Sequence, residues 1–200
     1  ETIKSLLPNI QHFKQLSFTA DTYFMLCLSL QRALQSGNLQ AGTTETKAWQ
    51  TQHQTSFQKL QDLNACYPPN HQHKISLLKA QQLALDNAPM ENVARCYQQA
   101  IEAATENGFN QYAALSNELY GDYLNNMGFD DFAKIPIKKA FSLYNAWGCQ
   151  PKIDNLPLRY DFLSPVIADN TNHSNINNGM TSDLNNTPHS SSAPSLEKNL

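Results

Sequence analysis

The sequence has few charged residues, few glycines and no long apolar run. Lysine, arginine, aspartate and glutamate make up 16% of the 200 residues, and the formal net charge is −3. No basic excess therefore points to nucleic acid or to an anionic membrane surface. Only seven glycines are present, which disfavours turn-rich β-sandwiches and barrels. The longest apolar stretch, Tyr23 to Leu30, is far shorter than the roughly 20 residues of a membrane span. We therefore expect no membrane span and, from the charge, no nucleic-acid partner.

The spacing of the cysteines and the first residues of the chain indicate the cellular compartment that we expect for the protein. The four cysteines lie far apart, at Cys27, Cys66, Cys96 and Cys149. This spacing fits neither a CxxC metal pair nor a disulfide-dense scaffold, so reduced, mostly buried thiols in a cytoplasmic protein are expected. No signal peptide is predicted, because no positively charged start leads into an apolar run with a cleavage site. The chain opens in the middle of a pattern, and we interpret it as an excised segment of a longer protein.

Amides and helix-forming apolar residues dominate what is present. The chain has 17 glutamines and 21 asparagines, and 40% of its residues are hydrophobic. Apolar residues at helical spacing predict a series of helices that begins around Leu26 and Leu30 and stops at Gly37. Further helices are predicted over 44–64, 74–85, 90–107, 110–127, 130–147 and 152–162.

Prolines and a change in composition set the predicted boundaries. Tyr67-Pro68-Pro69-Asn70 predicts a break, and Pro136 predicts a kink or a late start in the helix over 130–147. From Ser164 onward Asn, Ser, Thr and Pro dominate, and apolar residues stand singly. Such a stretch buries too little surface to offset its ordering entropy. We therefore predict a helical domain over residues 1–163 and a disordered linker or tail over 164–200.

Small residues recur at spacings that are typical of a tetratricopeptide repeat. Gly121, Gly128, Ala133 and Ala140 follow one another at intervals of 7, 5 and 7 residues, and Ala100 lies 40 residues before Ala140. A small side chain lets two helices approach closely, and a glycine ends the first helix so that the second folds back. The pattern predicts an all-α fold of antiparallel helical hairpins, of the α-solenoid type, with these five residues in helix packing.

No pattern of reactive side chains predicts catalysis. His71 and His73 stand two residues apart after the proline pair, where polarity at a helix start explains them better than a metal site. Glu91, Glu102, Glu106 and Glu118 are interpreted as solvated helix faces. The sequence has no phosphate-binding loop and no nucleophile elbow. We expect no catalytic residue, no metal and no cofactor in this segment.

The stretch from His73 to Leu163, about 90 of the 200 residues, resembles the tetratricopeptide-like helical region of multi-domain sensor histidine kinases. The segments that carry the resemblance are His73-Lys74, Ala94 to Phe109, Ala113 to Leu119, Tyr144 to Gly148, Lys152-Ile153 and Arg159-Tyr160. In that family a Ser/Thr-kinase-like domain and a STAND-type ATPase precede the helical region. A GAF domain and the histidine kinase follow it.

The resemblance implies a scaffold rather than an enzyme. None of the family's catalytic positions lies within these residues. The segment is therefore expected to be non-catalytic, to link the ATPase module to the GAF and histidine-kinase domains, and to have protein or intramolecular domains as partners. A free-standing tetratricopeptide-like adaptor that binds peptides is the alternative. The sequence that follows residue 200 in the parent chain would distinguish the two.

Overall fold

The computed structural model describes residues 19–37 and 42–164. Within these ranges the chain forms seven α-helices and a final 3-10 turn, and no strand is present. The helices are α1 (Thr19–Gln35), α2 (Thr44–Cys66), α3 (Pro68–Leu85), α4 (Met90–Glu106), α5 (Asn110–Asn126), α6 (Asp130–Trp147) and α7 (Gln150–Arg159), and the 3-10 turn is Asp161–Leu163. The all-α prediction is confirmed for these residues. The tail predicted to be disordered, 164–200, lies outside them except for Ser164.

The start of α3 is a correction. The helix was predicted to begin at Lys74, but it begins at Pro68, so that only Tyr67 separates it from α2. Proline is well tolerated in the first turn of a helix, where its missing N–H would have no intrahelical partner and its φ is already helical. The proline pair therefore separates α2 from α3 and also forms the first turn of α3.

A recurring backbone turn ends the later helices. After α5, the N–H of Gly128 donates to the carbonyl of Asn125 at 3.0 Å, and the N–H of Phe129 donates to the carbonyl of Leu124 at 2.9 Å. This is the Schellman geometry, and it needs a residue in the left-handed region, here Gly128 at φ +80°. The same pair of bonds follows α3, α4 and α6, around Asn87, Gly108 and Gly148.

This turn gives the second half of the molecule a regular period. Helices α4, α5, α6 and α7 begin at Met90, Asn110, Asp130 and Gln150, which are 20 residues apart. Two consecutive helices therefore occupy 40 residues, which is the separation of Ala100 and Ala140. Each of these helices is joined to the next by a connection of two or three residues that contains the same pair of hydrogen bonds.

Prolines inside α6 and α7 do not interrupt these helices. Helix α6 begins at Asp130 and continues through the buried Pro136 to Trp147, so the late start that was one of two predicted alternatives is wrong. Helix α7 likewise continues through Pro157 and ends at Arg159. The predicted helix over 152–162 therefore divides into an α-helix and the 3-10 turn.

Helices that are neighbours in sequence pack most closely, in the pairs α1 with α2, α3 with α4 and α5 with α6. Helix α3 also contacts α1 and α5, so the first helices of successive pairs lie side by side. One buried cluster joins α1 to α4 with part of α5, around Phe24, Leu78 and Tyr97. A second cluster joins α5, α6 and α7, around Ile137, Tyr144 and Leu156. All of the described residues belong to one compact unit.

Two predictions, mostly buried thiols and no membrane span, can be compared with the described residues. Cys27 is buried, but Cys66 is exposed and Cys96 and Cys149 are half-buried, so the expectation of mostly buried thiols is wrong. None of the helices in residues 19–37 and 42–164 combines the length and the apolar character that crossing a bilayer demands.

Candidate functional site: a polar groove and the clasp beside it

A polar groove of about 500 Å³ lies where the C-terminal ends of α1, α3 and α5 meet the end of α7. Helix α1 contributes Arg32, which is exposed and makes no ion pair or side-chain hydrogen bond with the residues that the structure describes. Four amide side chains also line the groove, from Gln35, Gln81, Asn125 and Asn126. Amides donate and accept hydrogen bonds without a charge, so the groove is suited to polar groups that do both.

A tyrosine cluster lies beside the groove, which two of its members, Tyr97 and Tyr123, line. The Gln81 side-chain nitrogen donates to the Tyr97 hydroxyl at 2.6 Å, and both residues are buried. The Tyr97 ring stacks on Tyr120 with 5.1 Å between ring centroids and lies 5.9 Å from Tyr123. Burial raises the pKa of Tyr97, and nearby Asp122 raises it further. The hydroxyl therefore stays protonated while it accepts the hydrogen bond from Gln81.

An ionic cluster on α5 holds the end of α7, and we name it the α7 clasp: Glu118, Asp122, Tyr144, Lys152, Arg159 and Tyr160. Glu118 is only 3% exposed. Its carboxylate accepts from the Tyr144 hydroxyl at 2.8 Å, from Lys152 Nζ at 2.7 Å and from Arg159 at 2.9 Å. Every oxygen of the buried carboxylate thus has a donor, which is what a buried charge requires.

Asp122 completes the clasp one helical turn beyond Glu118. It accepts from Arg159 at 2.6 Å and from the Tyr160 hydroxyl at 2.5 Å. The Arg159 guanidinium therefore bridges two carboxylates on α5, a geometry for which its planar fork of donors is suited. Asp122, Arg159 and Tyr160 also line the groove, so the clasp forms one of its walls.

The pKa values in the clasp favour hydrogen-bond donors that do not ionise. Burial raises the pKa of Tyr144, and the charge and hydrogen bond of Glu118 raise it further. Burial together with the hydrogen bond to Asp122 raises the pKa of Tyr160. Both tyrosines therefore stay protonated and donate to carboxylates. Within the described ranges, no three His, Cys, Asp or Glu side chains are grouped as metal ligands would be.

Four of the five packing residues named from the sequence are buried: Ala100, Gly121, Ala133 and Ala140. A methyl group at Gly121 would overlap the Ile137 side chain and lie 3.3 Å from the Ala133 carbonyl oxygen. Ala140 is fully buried in the cluster between α5, α6 and α7, and Ala133 is 1% exposed. Ala100 lies in the other cluster, beside Tyr97. Gly128 lies in the turn between α5 and α6 rather than at a crossing.

Sequence reasoning misassigned Glu118 and His73. Glu118 was interpreted as part of a solvated face, but it is buried in the clasp. The available signal was its position four residues after Ala114, on the apolar stripe of α5. His73 was interpreted as polarity at a helix start, yet it is 1% exposed and stacks on Phe109 with 4.5 Å between ring centroids.

Comparison with known proteins adds no relative to this picture. No family model matches the chain, and neither a curated protein nor a solved structure matches it. The resemblance to sensor histidine kinases therefore stays a prediction.

Proposed function

We propose that this chain is a non-catalytic, tetratricopeptide-like scaffold within a cytoplasmic sensor histidine kinase, linking an ATPase module to GAF and histidine-kinase domains. Partner segments of the same large protein would occupy its groove. The sequence resemblance supplies the kinase context, and the arrangement of the helices supports the scaffold role.

The observation that carries the scaffold role is the pairing of the helices. The closest pairs are α1 with α2, α3 with α4 and α5 with α6, and α3 also contacts the first helix on either side. In an α-solenoid each helical pair buries its apolar face against its neighbours, and the first helices of the pairs line a concave surface. The groove borders on the C-terminal ends of these first helices, α1, α3 and α5, and this placement supports the proposal.

The residues that carry the family resemblance have a shared structural role. Glu118, Tyr144, Lys152, Arg159 and Tyr160 come from four separated segments of the sequence, and all of them belong to the α7 clasp. A motif whose members pair with one another to hold the last helix is a structural motif. Its coincidence with the resemblance supports a scaffold more than a catalytic site.

The parent gene offers the most direct test of the kinase context. We expect the coding sequence after residue 200 to encode a GAF-like domain and then a phosphoacceptor histidine box. A stop codon shortly after residue 200 would instead favour the adaptor.

A functional test of the scaffold uses the full-length kinase. Arg32→Glu reverses the charge of the exposed guanidinium in the groove and should change the rate of autophosphorylation, because a partner segment there would lose its contact. The matched control is Arg95→Glu, since Arg95 is exposed on α4 and is not among the residues that line the groove. Equal rates for both variants and the parent would contradict a regulatory role of the groove.

The absence of catalysis is tested on the 200-residue chain. Incubated with ATP and Mg²⁺, it should neither release phosphate nor become phosphorylated on histidine. Turnover that a single substitution within residues 1–163 abolishes would overturn the non-catalytic assignment.

A free-standing adaptor that binds peptides is the second candidate, and the chemistry of the groove favours it. Amide side chains match the donors and acceptors of an extended peptide backbone, and Arg32 offers a site for a carboxylate. Fluorescence anisotropy with labelled acidic, neutral and basic peptides separates this candidate, since an adaptor should prefer acidic peptides and lose that preference in Arg32→Glu.

A further inference from the structure

The outward face of α6 presents two large apolar side chains to solvent. Phe132 is 67% exposed and Ile135 is 73% exposed. Both line an apolar depression of about 320 Å³, together with Met90, Tyr120, Leu124, Phe129 and Pro136. Single exposed apolar residues are ordinary on a protein surface, but apolar side chains that cluster around one depression make this face a candidate interaction site.

The charges on the same face have opposite signs at its two ends. Asp131 lies one helical turn before Ile135, and Lys138 and Lys139 lie one turn after it; all three are exposed. Positions 131, 135 and 138 follow one helical line, and positions 132, 135 and 139 follow the adjacent one. We name these five residues the α6 face: Asp131, Phe132, Ile135, Lys138 and Lys139.

We propose that the α6 face pairs with the α6 face of a second copy of this chain, antiparallel and centred on Ile135. In a twofold antiparallel pair, residues equally distant from the centre lie opposite each other. Asp131 of each copy is then opposite Lys139 of the other, and Phe132 is opposite the stem of Lys138. The two Ile135 side chains meet at the axis.

Charge complementarity is the reason to expect a second copy rather than another partner. An acidic start, an apolar centre and a basic end complement their own inverted image without any change. Within one copy, Asp131 makes an ion pair with Lys134 at 2.7 Å, which joins two exposed side chains on the same helix. Such a pair is weak, so it competes little with the proposed pair between Asp131 and Lys139 of the second copy. An interface of one helix pair is small, so the dissociation constant should be on the order of micromolar. This pairing does not depend on the proposed function.

Sedimentation equilibrium of the 200-residue chain from about 1 to 100 micromolar tests the pairing. A monomer–dimer equilibrium is expected. Ile135→Glu should raise the dissociation constant about tenfold or more, because it places two carboxylates at the axis. The matched control is Leu158→Glu, since Leu158 is 82% exposed and lies outside the α6 face. A monomer at every concentration, or equal loss in both variants, would overturn the proposal.

The antiparallel register has its own test by charge reversal. Asp131→Lys and Lys139→Asp should each weaken the dimer, because each variant places like charges opposite one another. The double variant restores opposite charges and should recover the affinity of the parent. Circular dichroism of each variant confirms that it is folded. If the double variant is as weak as the single ones, Asp131 and Lys139 do not meet and the proposed pairing is wrong.

Discussion

His73 is a buried polar side chain that packs as an aromatic ring. Both of its ring nitrogens lie buried without a hydrogen-bond partner among the described residues. Burial lowers its pKa from 6.5 to about 3, with smaller contributions from the nearby Lys74 and His71, while Asp21 acts in the opposite sense. The neutral ring therefore packs as an aromatic group between Phe109 and Tyr112.

His73 should make the protein less stable in mild acid. Since its pKa is lower in the folded state, the unfolded chain binds more protons below pH 6.5, and stability is lost as the pH falls toward the folded pKa of about 3. Between pH 7 and pH 5 this group alone should reduce the free energy of unfolding by about 2 kcal/mol. Urea melts of the parent and of His73→Leu across this range measure the difference. An equally steep pH dependence in both would show that His73 is not the cause.

Gly121 should tolerate no side chain, because Ile137 occupies the space where a methyl group would lie. We expect Gly121→Val to reduce the free energy of unfolding by about 1–3 kcal/mol, and Ala140→Leu to act similarly. Gly121→Ala should also destabilise, although helix propensity alone favours alanine by up to about 1 kcal/mol.

A double-mutant cycle isolates the contact between Gly121 and Ile137. Ile137→Ala alone should cost about 2–5 kcal/mol, and Gly121→Ala should then cost less than in the parent because the space is free. Additive urea-melt values, or a Gly121→Val variant as stable as the parent, would show that α5 and α6 do not approach closely there.

The α7 clasp is the interaction that matters most at the scale of elements. We expect Glu118→Gln to reduce stability by about 1–3 kcal/mol, since it leaves the Tyr144 hydroxyl and the cations of Lys152 and Arg159 without a charged acceptor. The effect is smaller than for a fully buried pair because the Lys152 and Arg159 side chains are 37% and 38% exposed. Hydrogen exchange should accelerate in α7 before any other helix.

The exposed ion pair on α6 provides the control for this prediction. Lys134 pairs with Asp131 at 2.7 Å, and both side chains face solvent, so Lys134→Gln should leave the melting temperature unchanged. If Glu118→Gln melts like Lys134→Gln, the clasp does not stabilise the fold.

The helices were predictable from the sequence to the extent that local chemistry determines them. On α4, Val93, Tyr97, Ala100 and Ala104 form one buried stripe, and their helical spacing is visible in the sequence. The glycines that end helices were also visible, because a left-handed residue is needed there. The start of α3 was missed because a proline pair can end one helix and begin the next.

The clasp could not be predicted because it depends on long-range contacts. Glu118 meets Lys152 and Arg159, which lie 34 and 41 residues later in the sequence, and helical periodicity does not report such pairings. His73 was missed for the same reason, since its partners Phe109 and Tyr112 belong to other segments. Periodicity indicates which face of a helix is buried, but it does not identify which charge on that face has a partner.

At the scale of the whole molecule, the predicted domain boundary can be tested by limited proteolysis. Cleavage is expected within residues 164–200, leaving a resistant fragment that ends near Leu163, because the sequence beyond it lacks clusters of apolar residues. Mass spectrometry of the time course identifies the fragment. First cuts within the helices, with 164–200 still attached, would contradict the predicted division into 1–163 and 164–200.

The position of the clasp also determines how the molecule would respond to a mechanical load. Tension applied to the chain beyond Ser164 first reaches Leu163 and Phe162, which pack against the second cluster. It then reaches Tyr160 and Arg159, whose partners Asp122 and Glu118 lie on α5. These bonds lie near the point of pulling, so they would break one after another as α7 peels away, before the buried Leu156 is extracted. When the chain is pulled from this side, the bonds of Tyr160 and Arg159 should therefore yield before those of Lys152, and the clasp should open stepwise from its C-terminal side.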